Sequence, residues 1–263
     1  MEFEEMNRKK VAFYYFSGTG NTLLIVREMI KVFRKLNIQV EAHNMLHSDP
    51  EGIPLHKTIG IAFPVACFTT YPSVRDFLTK LPDGRGTEIF MVDTYSSFSG
   101  LLTGQIRSIV TKKNYIPIGA REIKMPNNFN FKPYREEKYA RIVKKGLLQA
   151  KYFSHDIVYG ISSWKPTPFI PVFLSNSGFA RRVFTFMKRK YALSIDNIKC
   201  IRCGKCYKLC PVDNIEMENY PEFLDRCQLC LRCISFCPTE AIRFKEREDF
   251  YPYTAVEYED IIQ

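Results

Sequence analysis

From Lys10 to Phe16 the chain runs Lys-Val-Ala-Phe-Tyr-Tyr-Phe, apolar at consecutive positions rather than alternate ones. A strand covered on both faces, as in a parallel sheet, reads this way. Small polar residues follow, and then Leu24, Val26, Met29, Ile30 and Phe33 recur at helical spacing between Leu23 and about Leu36. Further strands are expected at Gln39–Asn44, Lys57–Phe63, Thr87–Thr94 and Tyr115–Met125. Helices are expected at Ser73–Leu81, from beyond Gly100 to about Lys112, and from Tyr134 to about Tyr152. Pro82-Asp83-Gly84 reads as a turn. Alternating strands and helices predict a doubly wound α/β sheet of five parallel strands in the order 2-1-3-4-5. The ends of strands one, three and four then border one crevice.

The pattern breaks at Trp164-Lys-Pro-Thr-Pro-Phe-Ile-Pro171, which suits neither a helix nor a central strand. Phe179–Tyr191 sets Arg181, Arg182, Lys188, Arg189 and Lys190 around Val183, Phe184, Phe186 and Met187. This short basic amphipathic helix reads either as a docking face for an acidic partner or a membrane surface, or as a junction helix with solvated charges. The expected division is residues 1–155 for the sheet, 156–192 for the connector, and 193–263 for a small unit with a C-terminal tail.

That small unit carries the strongest chemical signal. Cys200, Cys203, Cys206 and Cys210-Pro211 repeat as Cys227, Cys230, Cys233 and Cys237-Pro238, two copies of C-x2-C-x2-C-x3-C-P. Three closely spaced thiolates wrap three corners of a cubane, and the fourth reaches across to the other cluster. The spacing assigns Cys200, Cys203, Cys206 and Cys237 to one [4Fe–4S] cluster, and Cys227, Cys230, Cys233 and Cys210 to the second. Structural zinc uses two cysteines from each knuckle and needs no third thiolate or trailing Pro. The segments Val212-Asp-Asn-Ile-Glu-Met and Thr239-Glu-Ala-Ile-Arg-Phe echo one another after each Cys-Pro. Each half therefore predicts a cysteine loop, a helical turn and a short strand about a pseudo-twofold axis.

The first strand opens into Ser17-Gly18-Thr19-Gly20-Asn21-Thr22, a hydroxyl-rich loop at a helix start. Free N–H groups there favour an anion. Leu23 stands where a dinucleotide fingerprint needs its third glycine, and no lysine follows Gly20 as a Walker loop demands. A loop that neutralises phosphate by hydrogen bonds alone resembles the flavodoxin phosphate loop, which implies FMN. The resemblance further implies that Pro64, Val65, Ala66, Cys67 and Phe68 grip the isoalloxazine ring together with Thr94, Tyr95, Ser96, Ser97, Phe98 and Gly100. Tyr95 and Phe98 would flank it. Met125-Pro126-Asn127-Asn128-Phe129-Asn130 resembles stretches that close over the flavin edge in fused relatives.

Both halves together resemble the fused flavodoxin–ferredoxin proteins, sometimes called ferrodoxins: a flavodoxin-like sheet followed by a small α+β two-cluster ferredoxin. Phe223 stands where those relatives often carry Trp. The implied activity is electron transfer between clusters and FMN, within one polypeptide or between protomers of a dimer, and onward to a redox partner protein. Two other classes stand beside it: an FMN-dependent oxidoreductase reducing a quinone, metal ion or NAD(P)-linked acceptor, and a non-redox interaction module with structural clusters.

Composition changes this picture little. At 46% hydrophobic and 25% charged residues the chain has the balance of a globular protein. No segment reaches the length of a membrane span. Met1-Glu2-Phe3-Glu4-Glu5 lacks the basic start and apolar core of a signal peptide. Eight of nine cysteines fall in the metal motif, which fits a reducing cytoplasm and a low-oxygen cell. The net charge of +10 suits an acidic redox partner. No motif for nucleic acid accompanies it. His43, His47, His56 and His155 are scattered, and no acid–base pair or nucleophile stands out.

Overall fold

The computed structural model describes residues 10–67, 69–99, 102–166, 177–247 and 249–262. The acidic N-terminal stretch and most of the proline-broken connector lie outside these residues, as do Phe68 and Gly100.

Five strands form a single parallel sheet: β1 (Lys10–Tyr15), β2 (Gln39–Asn44), β3 (Thr58–Pro64), β4 (Glu88–Tyr95) and β5 (Ile116–Lys124). Their order is β2-β1-β3-β4-β5, as the alternating pattern predicts. Helices cover both faces. On one side α1 (Asn21–Lys35) and α4 (Glu136–Val158) pack Ile25, Met29, Phe33, Phe153 and Ile157 against Phe13, Phe90 and Val92. On the other, α2 (Pro72–Thr79) and α3 (Leu102–Lys112) pack Val74, Phe77, Ile106 and Val110 against Tyr14, Ile61, Phe63 and Met91. Successive residues of β1 and β4 thus serve opposite layers, which is why those strands are apolar throughout. This is the flavodoxin-like doubly wound arrangement. Its switch point lies between β1 and β3, where the β1–α1 loop emerges.

After α5 (Ser177–Lys190) the chain forms a compact second unit. It contains β6 (Leu193–Ile195), α6 (Lys205–Leu209), β7 (Ile215–Met217), β8 (Pro221–Phe223), α7 (Arg232–Ser235), β9 (Ile242–Phe244) and α8 (Tyr258–Ile261). The echoed strands do not pair with each other: β9 pairs antiparallel with β6, and β7 with β8. The pseudo-twofold appears in the backbone instead. Arg202 and Leu229, Gly204 and Leu231, and Asp213 and Glu240 all have positive φ. These pairs carry the same offset in sequence as the paired cysteines.

The two units share a core. Phe129 and Phe131, in the β5–α4 loop, enter an aromatic cluster with Tyr191, Phe244 and Phe250. Phe129 lies 4.8 Å from Tyr191 and 5.6 Å from Phe244 between ring centroids. The edge-to-face Phe129–Tyr191 pair adds about 0.5–1.5 kcal/mol beyond burial. A loop of the first unit therefore supplies packing that the small second unit lacks by itself.

Candidate functional site

The β1–α1 loop is buried and held from several directions. Ser17, Thr19 and Thr22 are each almost wholly inaccessible. The Ser17 hydroxyl accepts from the N–H groups of Gly20, at 3.1 Å, and Leu23, at 3.3 Å. Thr22 Oγ1 meets Thr94 Oγ1 of β4 at 2.8 Å, and Asn21 Nδ2 donates to the Pro126 carbonyl at 2.9 Å. Asn128 Nδ2 donates to Thr19 Oγ1 at 3.1 Å. Gly20, at φ 102°, caps α1 in a conformation that suits glycine.

Above this loop lies a cleft enclosing about 900 Å³ including its open mouth. Ser17, Gly18, Thr19, Asn21 and Thr22 form its floor. Pro64, Val65, Ala66 and Cys67 line it from the β3 loop, and Thr94, Tyr95 and Ser96 from the β4 loop. Ser97 and Phe98 lie outside that lining, with Phe98 well exposed. The β3 loop is a tight turn in which Ala66 and Thr69 exchange backbone bonds, at 2.8 and 3.0 Å. It places Cys67 at φ 50°, and burial pushes the Cys67 thiol up. Met125 to Phe129 close one side. None of the described lining residues is charged.

The eight motif cysteines divide into two sets. Cys210, Cys227, Cys230 and Cys233 line one cavity; Cys200, Cys203, Cys206 and Cys237 line another. Each set takes three cysteines from one half and the last cysteine of the other. Burial pushes the Cys230 thiol up to about 12 and the Cys206 thiol up to about 11. Cys233 is raised well above the ordinary thiol value by burial, and then by Cys230, Cys227 and Cys210 around it. Buried thiols that raise one another become thiolates when cations lie among them, the donor chemistry of an iron–sulfur cluster. Among the described residues, no three His, Cys, Asp or Glu side chains converge as on a single ion. Backbone N–H groups donate to two of the sulfurs at equivalent positions: Asn214 to Cys210 at 3.1 Å, and Ala241 to Cys237 at 3.3 Å.

The cleft and one cysteine cavity have a common wall. Gln228, Leu229 and Leu231 border both. A Cβ on Gly18 would stand 2.6 Å from the Cys230 carbonyl oxygen, so only glycine permits that approach. Arg232, just 5% exposed, donates to the carbonyls of Ser17 and Leu209 and lies over the Phe16 ring. Phe184 and Met187 of α5 also line the cleft, with Phe184 packed on Tyr71, so this face of the basic helix is at the junction.

Sequence reasoning missed the C-terminal tail. Ala255 N–H donates to the Thr19 carbonyl at 2.7 Å, and Val256 fills the space beside Gly20. Arg27 of α1 pairs with Asp260 at 2.6 Å. The tail carries no motif; its only signal is an aromatic run, Tyr251, Tyr253 and Tyr258. Arg232 was more legible, as a cation inside a cysteine repeat whose counterpart is Lys205.

Residues 192–238 match the 4Fe-4S dicluster domain family. No curated protein matches the chain. Among solved structures, a flavodoxin from the domain Archaea aligns at 10% identity over 56% of this chain and 98% of its own, with a TM-score of 0.41. The two-electron reduced Megasphaera elsdenii flavodoxin aligns at 17% identity over 53% and 98%, with a TM-score of 0.37. Rubredoxin oxygen:oxidoreductase from the anaerobe Desulfovibrio gigas aligns at 14% identity over 61% and 39%, with a TM-score of 0.38. The doubly wound sheet of order β2-β1-β3-β4-β5 is thus followed in the chain by the segment that matches the dicluster family. Among the described residues, no helix is long and apolar enough to cross a membrane.

Proposed function

We propose that this protein is an electron-transfer iron–sulfur flavoprotein holding two [4Fe–4S] clusters and one FMN, and serving a redox partner protein. The wall formed by Gln228, Leu229 and Leu231 carries this reading, because it leaves about one layer of residues between the flavin cleft and a four-cysteine cavity.

The donor sets fit these groups. Cys200, Cys203, Cys206 and Cys237 would hold one cluster, and Cys210, Cys227, Cys230 and Cys233 the other. Residues Ser17 to Thr22 would hold the FMN phosphate, with the ring between the β3 and β4 loops. Such clusters exchange single electrons, and a flavin accepts one or two, so together they join one- and two-electron chemistry. The chain's own contribution is positioning. Arg232 ties the second cysteine loop to the phosphate loop. The aromatic cluster around Phe129 holds the two units in register, and burial of Gly18 and Leu231 keeps water from the wall. The uncharged lining supports electron exchange over chemistry that needs an acid or base beside the flavin.

Iron, sulfide and FMN are quantified on protein purified without oxygen and titrated with reductant. The expected result is about eight iron and one FMN per chain, all reducible. Zinc in place of iron, or protein without flavin, overturns the proposal. Rapid reduction by NAD(P)H alone would favour the small-acceptor oxidoreductase instead.

A further inference from the structure

The two halves of the cysteine unit are equivalent in backbone and opposite in environment. In the second half, Gln228, Leu229, Leu231 and Arg232 face the flavin cleft and the phosphate loop. Their counterparts in the first half are Ile201, Arg202, Gly204 and Lys205, and these border the outer cysteine cavity. Ile201 is 63% exposed, and Cys203 is exposed beside it. Ile198 is 98% exposed and Tyr207 is 52% exposed. The surface that one half uses to hold a flavin unit is therefore presented to solvent by the other.

Its charge is one-sided. Between Ile198 and Tyr207 and just beyond stand Lys199, Arg202, Lys205 and Lys208, with no acidic residue among them. Arg202 lies over the Tyr220 ring and donates to its hydroxyl at 2.8 Å; Lys205 lies over the Tyr258 ring. Both cations are thus held in place against aromatic rings. Glu259 lies near Tyr258, whose ring Lys205 covers, and Asp196 is engaged by Arg243 and by the Ile198 and Lys199 N–H groups. Apolar residues ringed by cations are the anatomy of a transient docking patch, whose charges steer encounter more than they add affinity.

We propose that the face of Ile198, Lys199, Ile201, Arg202, Tyr207 and Lys208 is the docking site for an acidic electron-carrier protein, which sets its redox centre against the Cys203 edge. This inference rests on the proposed electron-transfer function and names where the partner engages. The basic helix α5 is the competing surface, but Phe184 and Met187 commit part of it to the cleft.

The test uses the holoprotein and an acidic bacterial two-cluster ferredoxin as probe, with binding measured calorimetrically under anaerobic conditions at low and high salt. Affinity is expected to fall steeply with ionic strength. Lys199→Glu with Lys208→Glu, and separately Ile198→Asp, are expected to weaken binding by about tenfold or more, with unchanged iron and FMN. Arg182→Glu with Arg189→Glu on α5 is expected to leave binding intact. Loss only in the α5 variant overturns the assignment, as does binding insensitive to the charge reversals. Self-association through this face, seen as a concentration-dependent mass abolished by Ile198→Asp, replaces the carrier with a second copy of the chain and overturns it too. Full cofactor content without ferredoxin binding defeats this inference alone. Missing iron or flavin defeats the proposed function and this inference with it.

Discussion

The guanidinium of Arg232 donates to the Ser17 carbonyl oxygen from Nη2 at 2.8 Å and from Nε at 3.1 Å, across 215 positions of sequence. One end of this link stands between Cys230 and Cys233, the other at the start of the β1–α1 loop proposed to hold the FMN phosphate. Replacing Arg232 with Met strands two buried carbonyls, those of Ser17 and Leu209, at about 1–3 kcal/mol for each unsatisfied group. The expected outcome is a lower melting temperature and weaker FMN retention in the same variant. Arg232→Lys keeps the charge but loses the planar fork, so it should recover part of the stability and less of the flavin affinity. Thermal unfolding and flavin fluorescence titration check both.

Gly18 touches the backbone of Cys230, and a methyl group there meets a carbonyl oxygen at 2.6 Å. A backbone atom cannot swing aside as a side chain does. Gly18→Ala should therefore push the β1–α1 loop away from the second cysteine loop. FMN affinity is expected to drop by about tenfold or more, equivalent to about 1.4 kcal/mol, while iron content stays near wild type. Flavin and iron analyses on one preparation separate the two effects.

The tail is secured over α1 by Arg27 and Asp260. The hydrogen bond and charge of Arg27 hold the Asp260 carboxyl below the usual carboxylate range. A carboxyl lowered in the folded state contributes above its unfolded pKa of about 4, and the contribution is lost as pH falls through the lower folded value. Protection of the Ala255 amide, corrected for intrinsic exchange, should stay flat from about pH 5 to 8. Asp260→Asn should lower that protection throughout this range. Hydrogen exchange at Ala255 reads the effect directly.

Asp93 has the opposite sign. It is fully buried in β4, and neither carboxyl oxygen has a hydrogen-bond partner. Burial, and then the charge of Glu122, raise its pKa well above the ordinary value. The folded chain then keeps a proton that the unfolded chain releases above about pH 4, so stability falls as pH rises toward the folded value. Asp93→Asn should stabilise the protein at neutral pH and remove this slope. Melting temperature measured against pH for both proteins checks it.

The sheet was legible because β1, β3 and β4 are buried on both faces and so lack alternation. The strand ends moved by about a residue, α1 starts at Asn21, where Gly20 turns the chain, rather than at Leu23, and α4 runs on past Tyr152 to Val158. The grouping of the cysteines around two cavities follows the spacing: Cys210 and Cys237, each four positions after the third cysteine of its repeat, line the cavity of the other half. The junction was not. Phe129 and Phe131 look like ordinary loop aromatics until Tyr191 and Phe244 stand opposite them. Ala255 binds Thr19 through its backbone, which leaves no mark on residue type. Contacts made by main chain, or between loops far apart in sequence, carry no periodicity to read.

The central claim is that flavin and clusters communicate inside one chain, across the wall that includes Leu229 and Leu231. It is tested most directly by the rate at which electrons redistribute between iron–sulfur and flavin absorbance after a rapid, substoichiometric pulse of reductant. The account predicts a first-order rate that is unchanged over a hundredfold or so range of protein concentration, as an intramolecular process requires. A rate that rises in proportion to concentration, or clusters that stay reduced beside an oxidised flavin, would contradict it.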